Sequence, residues 1–256
     1  MSHTENHDAA AFTLLELLVV IAIIGVVCAM LLPALARTRD AGRSAVCCNN
    51  LRQMEAALNL YLSDHDGRFF PWIDTAASTS PGQTLYYFGL SSDEGAEGSR
   101  AIDKSQAKLA PYFAQTGGIE TCPAFPYNSP YFKQKYDCAT YGYGMNGYLL
   151  PGAPVPNASN SISCFSMITR PSETVVWGDA IQIDTWLAPA SSSHPMLEEW
   201  YWLDNGSPPK FHFRHNGHCN VVMADGSVRS LSPSRLDSRC DGLCGYVDDS
   251  YLCPVK

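Results

Sequence analysis

The sequence predicts an α+β protein with one long N-terminal helix packed on a C-terminal antiparallel β-sheet with long loops. Three observations lead to this prediction. An almost unbroken apolar run covers residues 12–32, and apolar residues recur at three- and four-residue steps through residues 51–62. Near the C-terminus, the turn dipeptides Asn216-Gly217 and Asp225-Gly226 separate short strand-like runs.

Length and composition restrict the classes of function. The chain has 256 residues, of which 46% are apolar, so it can form one sizeable domain with an extension, or at most two small domains. Only 16% of the residues are charged and the net charge is −8. Because the acidic chain has no stripe rich in Lys and Arg, nucleic acid is excluded as an expected partner.

The apolar run at residues 12–32 contains a single carboxylate, Glu16. As a helix it would extend roughly 31 Å, which is enough to cross a bilayer core. A secretory signal peptide has a basic start and a shorter apolar region, whereas residues 1–11 contain no Lys or Arg. A buried core helix of this length would have a polar face. A plain membrane anchor leaves Glu16 unexplained, because a carboxylate inside a membrane is costly.

Helical character continues beyond the apolar run. We expect Pro33 to kink the helix rather than end it, since good helix formers follow. Leu51, Met54 and Leu58 then give the helix one apolar face. The helix should stop near residues 63–67, because this segment contains a glycine and other residues of low helix propensity. The prediction is one helix over residues 12–66, with the transmembrane segment at 12–32.

The remaining residues, 67–256, are predicted to form a globular domain. Residues 68–165 are loop-rich, with a short helix expected at Ser105–Phe113. Their many aromatic rings are interpreted as filling a small core, with a carbohydrate-binding surface as the alternative. Residues 170–231 hold a buried strand followed by three runs, which we expect to form an antiparallel meander joined by the two turn dipeptides.

Ten cysteines are scattered along the chain without a CxxC pair. This distribution favours disulfides in an oxidising compartment over a zinc site. The preferred pairing is Cys48 with Cys122, and the second is Cys240 with Cys244 or Cys253. Cys28 lies in the apolar run and is interpreted as an inert apolar side chain, so an odd number remains and at least one thiol is free or pairs between chains.

No metal, cofactor or catalytic residue is predicted. The densest group of metal-type residues is His212, His215, His218 and Cys219, but their spacing around a tight turn does not bring them together, so a structural role is preferred. A Cys–His nucleophile pair lacks an orienting third group. Four C-terminal carboxylates are interpreted as a solvated acidic tail, with calcium binding as the alternative, because their spacing fits no standard calcium loop. These are Asp237, Asp241, Asp248 and Asp249.

The N-terminal sequence at residues 11–58, AFTLLELLVVIAIIGVVCAMLLPALARTRDAGRSAVCCNNLRQMEAAL, closely resembles type IV prepilins and type II secretion pseudopilins. The resemblance implies that residues 1–11 are a leader and that a prepilin peptidase cuts between Ala11 and Phe12 and methylates Phe12. It also implies that Glu16 is the membrane-embedded glutamate used in assembly, and that Pro33 is the proline that kinks the helix.

The C-terminal half contains a second resemblance. His215, nine intervening residues and then Asp225-Gly226 match the H-X9-DG segment of a bacterial pseudopilin-like group, here residues 215–226. The phrases RPSETVVWGDA and YGYGMNGYL are also similar to that group. The resemblance therefore extends to part of the globular domain.

Together, the resemblances imply a structural subunit of a type II secretion pseudopilus or type IV pilus-like fibre, and not an enzyme. It would cross the bacterial inner membrane once, with the leader cytoplasmic and the globular domain periplasmic, before joining the fibre. The implied partners are prepilin peptidase, other pseudopilin subunits, the inner-membrane assembly platform and lipid. Two alternatives are a minor tip subunit or surface-anchored module that binds a glycan or secreted substrate, and a secreted enzyme with an atypical signal.

One observation opposes this orientation. Arg37, Arg39 and Arg43 follow the apolar run directly, whereas the leader carries Glu5 and Asp8. The positive-inside rule alone would place the arginine flank in the cytoplasm. We prefer the orientation implied by the resemblance, because scattered cysteines also favour an oxidising compartment for the globular domain.

Overall fold

The computed structural model describes residues 14–75, 81–92, 95–113 and 119–255. The chain divides after Gly42 into two compact units. A long helix, α1 (Leu14–Asp64), contributes to both units, and the strands all belong to the second. The predicted α+β class with one long N-terminal helix is confirmed.

Helix α1 has 51 residues and continues through Pro33, as predicted. It ends where the chain enters the left-handed region, at Asp66 with a φ of 54° and Gly67 with a φ of 71°. The Gly67 N–H donates to the Leu62 carbonyl oxygen at 2.7 Å, which satisfies one of the last helical carbonyls. The predicted stop at residues 63–67 is therefore confirmed.

The C-terminal part of α1 is amphipathic, as predicted. Cys47, Leu51, Met54 and Leu58 are completely buried and belong to the main hydrophobic core. Their spacing of three and four residues aligns them on one face of the helix. This face holds α1 against the rest of the second unit.

The described residues contain thirteen strands, most of them short. They are β1 (Gln83–Tyr86), β2 (Gly89–Ser92), β3 (Ile102–Asp103), β4 (Tyr143–Asn146), β5 (Val175–Asp179), β6 (Gln182–Asp184), β7 (Met196–Glu198), β8 (Trp202–Leu203), β9 (Phe211–His212), β10 (Cys219–Met223), β11 (Val228–Leu231), β12 (Arg235–Leu236) and β13 (Cys244–Tyr246).

The largest sheet has five strands in the order β11-β10-β5-β4-β8. Its pairs are antiparallel except β4 with β8, which are parallel, so the sheet is mixed and not purely antiparallel as expected. Three smaller sheets have the orders β1-β2-β3, β12-β13-β9 and β6-β7. The central strands β5 and β10 are buried at every residue, which explains their continuous apolar sequences.

The predicted meander is half right. Strands β10 and β11 form the expected hairpin, but β9 pairs with β13 instead of β10. The other edge of β10 pairs with β5. The physical reason is that β10 is a five-residue strand buried throughout, and β5 offers a longer apolar partner than the two residues of β9.

The two turn dipeptides also differ from each other. Asn216 and Gly217 both have positive φ, of 52° and 80°, and form the expected two-residue turn, closed by a bridge between His215 and His218. In the second turn the Gly226 N–H donates to the Met223 carbonyl oxygen. Gly226 is therefore the last residue of this turn and not, as the dipeptide predicts, one of its two central residues. Gly226 alone takes the positive φ, of 81°.

Large rings fill much of the core, as predicted for residues 68–165. Phe70, Tyr87, Phe88 and Tyr143 are at most 1% exposed. The rings contact one another, with centroids 5.4 Å apart for Phe70 and Tyr87. The expected short helix at Ser105–Phe113 is replaced by two 3₁₀ turns, at Lys104–Gln106 and Ala110–Tyr112.

Candidate functional site

The N-terminal part of α1 is entirely exposed. Every residue from Leu14 to Leu32 is exposed, including Leu14 at 83% and Met30 at 73%. Among the described residues, α1 is the one helix long and apolar enough to cross a membrane, judged by length and composition. So much exposed apolar surface requires an apolar environment outside this chain.

Two of the predicted processing residues, Ala11 and Phe12, lie outside the described residues. Glu16 lies in the first turn of α1, among exposed apolar side chains. Pro33 lies inside the helix, one residue after the apolar run. The roles assigned to these four residues stay predictions.

The H-X9-DG residues lie in two different environments. His215 is buried, and its Nε2 lies 3.5 Å from the Cys122 Sγ and 3.4 Å from the Asp179 Oδ2. Asp225 lies in the exposed turn, where its Oδ1 accepts from the backbone N–H and the hydroxyl of Ser227 at 2.9 and 2.6 Å. The segment therefore combines a turn with one residue of a buried polar cluster.

This buried polar cluster consists of Cys47, Cys122, Asp179, Arg214 and His215. Asp179 ends β5 and is completely buried. Its Oδ1 accepts from the Arg214 Nη2 at 2.6 Å and from the Cys47 thiol at 3.4 Å. The Arg214 Nε also donates to the Cys122 Sγ at 3.3 Å. One carboxylate, one thiol pair and two basic side chains are thus in direct contact.

The charges in the cluster change the proton affinities of its members. Burial disfavours ionisation of Asp179, but the charges of Arg214 and His215 outweigh it and lower the pKa of the carboxyl. For Cys122, burial is likewise outweighed by the Cys47 hydrogen bond and the Arg214 charge, which lower the thiol pKa. Burial alone would lower the pKa of His215, yet Asp179 and Cys122 raise it to about 9.

Sequence reasoning missed most of this cluster. The sequence groups His215 with His212, His218 and Cys219, but the structure joins His215 to residues from three distant segments. The sequence did carry one signal. Cys47 lies four residues before Leu51 on the apolar face of α1, whereas Cys48 lies off that face and is only half-buried. The helical period therefore selects Cys47, and not Cys48, to lie beside Cys122.

A second, smaller cluster joins His212, Asp241 and Cys244. The His212 Nε2 lies 2.9 Å from the Asp241 Oδ2. His212 and Cys244 are cross-strand partners on β9 and β13. Burial is the main cause that lowers the pKa of His212. His218 and Cys219, the other members of the predicted group, belong to neither cluster within the described part of the chain.

The remaining acidic residues of the C-terminal segment bond different partners. Asp237 accepts from the Arg239 Nε at 2.9 Å, and Asp248 accepts from the Ser250 N–H at 2.8 Å. Asp249 bonds Asn205. The structure thus brings Asp241 to His212 and does not gather the four carboxylates weighed for calcium; a calcium role for them stays a prediction.

All ten cysteines lie within the described ranges and none forms a disulfide in the structure. The predicted partners Cys240, Cys244 and Cys253 are free thiols, and the Cys253 thiol donates to the Val255 carbonyl oxygen at 2.7 Å. The pairings proposed from the sequence stay predictions, and the structure offers Cys47 as a different neighbour for Cys122.

An aromatic cavity of about 280 Å³ opens at the surface of the second unit. Trp72, Tyr86 and Trp200 are among its lining residues, together with the cation of Lys135. The Lys135 Nζ lies 4.8 Å from the centroid of the Trp200 ring. Rings beside a cation are suited to hold a polar ligand with an apolar face.

Comparison with known protein families gives a match at the N-terminus. Residues 6–32 match the family model described as the prokaryotic N-terminal methylation motif. The match supports a type IV pilin-like prepilin family, whose members are structural subunits processed by prepilin peptidase and assembled with other pilin subunits. With α1 as candidate span, it is compatible with a single-pass, membrane-anchored protein. No curated protein and no solved structure matches the chain significantly.

Proposed function

We propose that this protein is a structural subunit of a type II secretion pseudopilus or a type IV pilus-like fibre. The observation that carries the proposal is the coincidence of two features at the N-terminus. Residues 6–32 match the methylation motif, and the same segment, from Leu14 to Leu32, forms an entirely exposed apolar helix. A membrane and a bundle of like helices are the two environments that would cover it.

The physical basis of assembly is a transfer between these two environments. Leaving the bilayer for water would be very unfavourable for so much apolar surface. Moving into a packed bundle of neighbouring helices is nearly neutral, so a small bias directs it. Glu16 supplies that bias when it pairs with the α-amine of Phe12 on a neighbouring subunit. Cleavage at Ala11–Phe12 creates this amine, which couples processing to assembly.

In this proposal the subunit waits in the bacterial inner membrane with its leader in the cytoplasm and its globular unit in the periplasm. The partners are prepilin peptidase, other pseudopilin subunits, the inner-membrane assembly platform and lipid. The globular unit then decorates the fibre. The Arg37, Arg39 and Arg43 flank opposes this orientation, so protease accessibility of the globular unit in intact spheroplasts is a direct check of it.

Processing is tested by mass spectrometry of the N-terminal peptide of protein extracted from membranes that contain a prepilin peptidase. We expect a peptide that begins at a methylated Phe12. An intact leader beginning at Met1 would contradict the proposal. Ala11→Gly serves as a matched variant, because glycine is the usual residue before the cut in the resembling family, and it should be processed at least as fast.

Assembly is tested by the substitution Glu16→Ala. We expect normal amounts of the protein in the membrane but a large loss from sheared fibres. Glu16→Asp, which retains the carboxylate on a shorter side chain, should preserve part of the incorporation. Equal incorporation of Glu16→Ala and wild type would show that the carboxylate has no role in subunit register.

A second function is a minor tip subunit or surface-anchored module that recognises a glycan or secreted substrate. The aromatic cavity beside Lys135 favours it, because stacked rings with a nearby polar group are suited to a sugar face. The test is glycan binding by the full chain in detergent. Trp200→Ala should abolish binding, whereas Tyr131→Ala, at an exposed ring outside the cavity lining, should not.

A further inference from the structure

The buried polar cluster contains a set of side chains that the fibre function does not require. Cys47, Cys122, Asp179 and His215 each offer one ligand atom, and these four atoms all lie within 4.8 Å of one another. The four side chains are between 0% and 6% exposed. Two sulfurs, one imidazole nitrogen and one carboxylate oxygen therefore converge on one enclosed point.

Each of these residues comes from a different part of the second unit. Cys47 lies on α1, Asp179 ends β5, and His215 opens the turn that is bridged to His218. Cys122 lies in a loop that is held by the hydrogen bond from the Gly142 N–H to the Glu120 carbonyl oxygen at 2.8 Å. Only the fold brings them together, and a shared ion would join the helix to the sheet.

The approach of the Cys122 loop depends on a glycine. A Cβ at Gly142 would lie 2.8 Å from the Cys122 backbone nitrogen, closer than real contacts allow. A side chain at this position would push the Cys122 loop away from the β-sheet. The position of the sulfur is therefore built into the backbone of the strand segment that leads to β4.

The donor set identifies the class of metal. Calcium and magnesium take oxygen ligands, so two sulfurs and an imidazole exclude them at this point. Four donors of sulfur, nitrogen and oxygen with no exposed position are typical of structural Zn²⁺. Two thiolates and one carboxylate carry three negative charges, which a divalent cation and the guanidinium of Arg214 balance.

The surrounding hydrogen bonds are those of an outer coordination shell. Arg214 donates to the Cys122 Sγ at 3.3 Å and to the Asp179 Oδ1 at 2.6 Å. The Asn220 N–H donates to the Asp179 Oδ2 at 2.7 Å. Such donors orient thiolate and carboxylate ligands and are a regular part of metal sites in proteins.

Two other interpretations of the cluster explain less. A catalytic Cys–His–Asp arrangement places the thiol and the carboxylate on opposite ring nitrogens, whereas here both approach the Nε2 of His215. The burial of Cys122 also keeps substrates away. A Cys47–Cys122 disulfide would use the two sulfurs and leave the convergence of Asp179 and His215 on the same point without a role.

We propose that Cys47, Cys122, Asp179 and His215 bind one structural Zn²⁺ that fastens α1 to the central sheet. The test uses the full chain, purified in detergent with a reductant, stripped with a chelator and titrated with Zn²⁺ alone. We expect about one tightly bound Zn²⁺ per chain and a rise in Tm of several degrees. Co²⁺ in place of Zn²⁺ should give thiolate charge-transfer absorption and the visible bands of a tetrahedral centre.

Variants show whether the ion lies at this point. Cys47→Ala and His215→Ala should each weaken Zn²⁺ binding at least tenfold. Cys48→Ala is the matched control, because it removes the neighbouring thiol on the same helix, and it should retain full affinity. His212→Ala should also retain it, since His212 belongs to the smaller cluster with Asp241 and Cys244. Circular dichroism of each variant checks that it is folded.

Three results would overturn the proposal. The first is the absence of stoichiometric Zn²⁺ binding and of a tetrahedral Co²⁺ spectrum in the reduced wild-type chain, which needs no variant. The second is loss of binding in His212→Ala with retention in Cys47→Ala. The third is a Cys47–Cys122 disulfide found by non-reducing peptide mapping of protein isolated from membranes.

Discussion

The two parts of α1 belong to one uninterrupted helix but meet different surroundings. From Leu14 to Leu32 every side chain is exposed, whereas from Cys47 to Leu62 one face is buried in the core of the second unit. The second part is stabilised by its own chain, against which its apolar face packs. The first part is apolar all round and depends on an environment that other molecules supply. Substitutions in the two parts of this helix should therefore have different effects, on membrane insertion in the first and on the stability of the second unit in the second.

The largest effect should come from a buried charge in the second unit. The Lys133 Nζ lies 3.1 Å from the Glu97 carboxylate and 3.0 Å from that of Glu198, and it also contacts Asp184. Lys133→Ala leaves these carboxylates without their shared cation, and we expect a loss of about 3–5 kcal/mol in the free energy of unfolding. Urea unfolding of the full chain in detergent measures it.

The control for this prediction is Lys135→Ala. Lys135 lies 3.4 Å from the Glu198 carboxylate, which it shares with Lys133, but it is partly exposed, whereas Lys133 is buried. Its removal should cost about 1 kcal/mol or less. If Lys133→Ala lowers the free energy of unfolding as little as Lys135→Ala does, the buried carboxylates do not need the Lys133 cation.

The next largest effect should come from placing a charge in the first part of α1, with the same substitution in the second part as the comparison. Ile24 and Leu60 are almost equally exposed on the helix, at 55% and 57%. Ile24→Arg should disfavour membrane insertion by about 2.5–3.5 kcal/mol, because it places a charge in the apolar span. Leu60→Arg faces water and should change stability by no more than about 0.5 kcal/mol.

The fraction of protein that resists carbonate extraction from membranes measures the first effect, and urea unfolding measures the second. If Ile24→Arg remains fully membrane-embedded, the exposed apolar surface of α1 does not mark a membrane span. If Leu60→Arg disrupts insertion as strongly as Ile24→Arg, the boundary between the two parts lies further along the helix.

A third prediction concerns pH. Glu55 lies on the buried face of α1. Asn59 donates to its Oε1 at 3.2 Å, and its Oε2 has no hydrogen-bond partner among the described residues. Burial raises the pKa of Glu55 from 4.5 to about 8. The folded state therefore keeps a proton that the unfolded chain releases, so stability should fall as pH rises through this window.

Glu55→Gln is neutral at every pH and should remove this dependence. We expect it to stabilise the protein at pH 6 by on the order of 2 kcal/mol and to be nearly neutral at pH 4. Urea unfolding at both pH values measures the difference. An equal effect of the substitution at pH 4 and pH 6 would mean that the pKa of Glu55 is not raised in the folded protein.

The smallest effect should come from the hairpin turn. Gly226 has a φ of 81° and open space around the position that a Cβ would take. Gly226→Ala should therefore cost about 1 kcal/mol from backbone strain alone. Gly226→Asn should cost less, because Asn tolerates this conformation. Equal losses in urea unfolding would point to a contact of the glycine instead of its φ.

Local patterns predicted local structure well. The spacing of apolar residues predicts the length of α1. The residues of low helix propensity at Ser63–Gly67 predict its end. The dipeptide Asn216-Gly217 predicted the observed hairpin turn, because a two-residue turn is determined by its two central residues. Aromatic residues of the middle region were correctly assigned to the core, since large rings must be buried somewhere in a chain with so few long elements.

Non-local pairings were not predictable in the same way. Nothing in the two-residue β9 indicates that it pairs with β13 instead of β10, because pairing depends on which partner the whole fold brings near. The buried polar cluster is the extreme case, since its members come from segments far apart in sequence. Cysteine spacing suggested disulfides, and the helical period could have favoured Cys47 over Cys48, but the convergence with Asp179 required the fold.

The continuity of α1 has a mechanical consequence. Ser44 accepts from the Asn220 Nδ2 at 3.0 Å, and the Asn50 Nδ2 donates to the Thr121 carbonyl oxygen at 3.1 Å. Tension applied to the first part of the helix passes along its backbone hydrogen bonds in series and arrives at these attachments. The load is then shared between Ser44, Asn50 and the buried Cys47. These attachments would take the load before it reaches Leu51, Met54 and Leu58 in the core, and would be the first to yield.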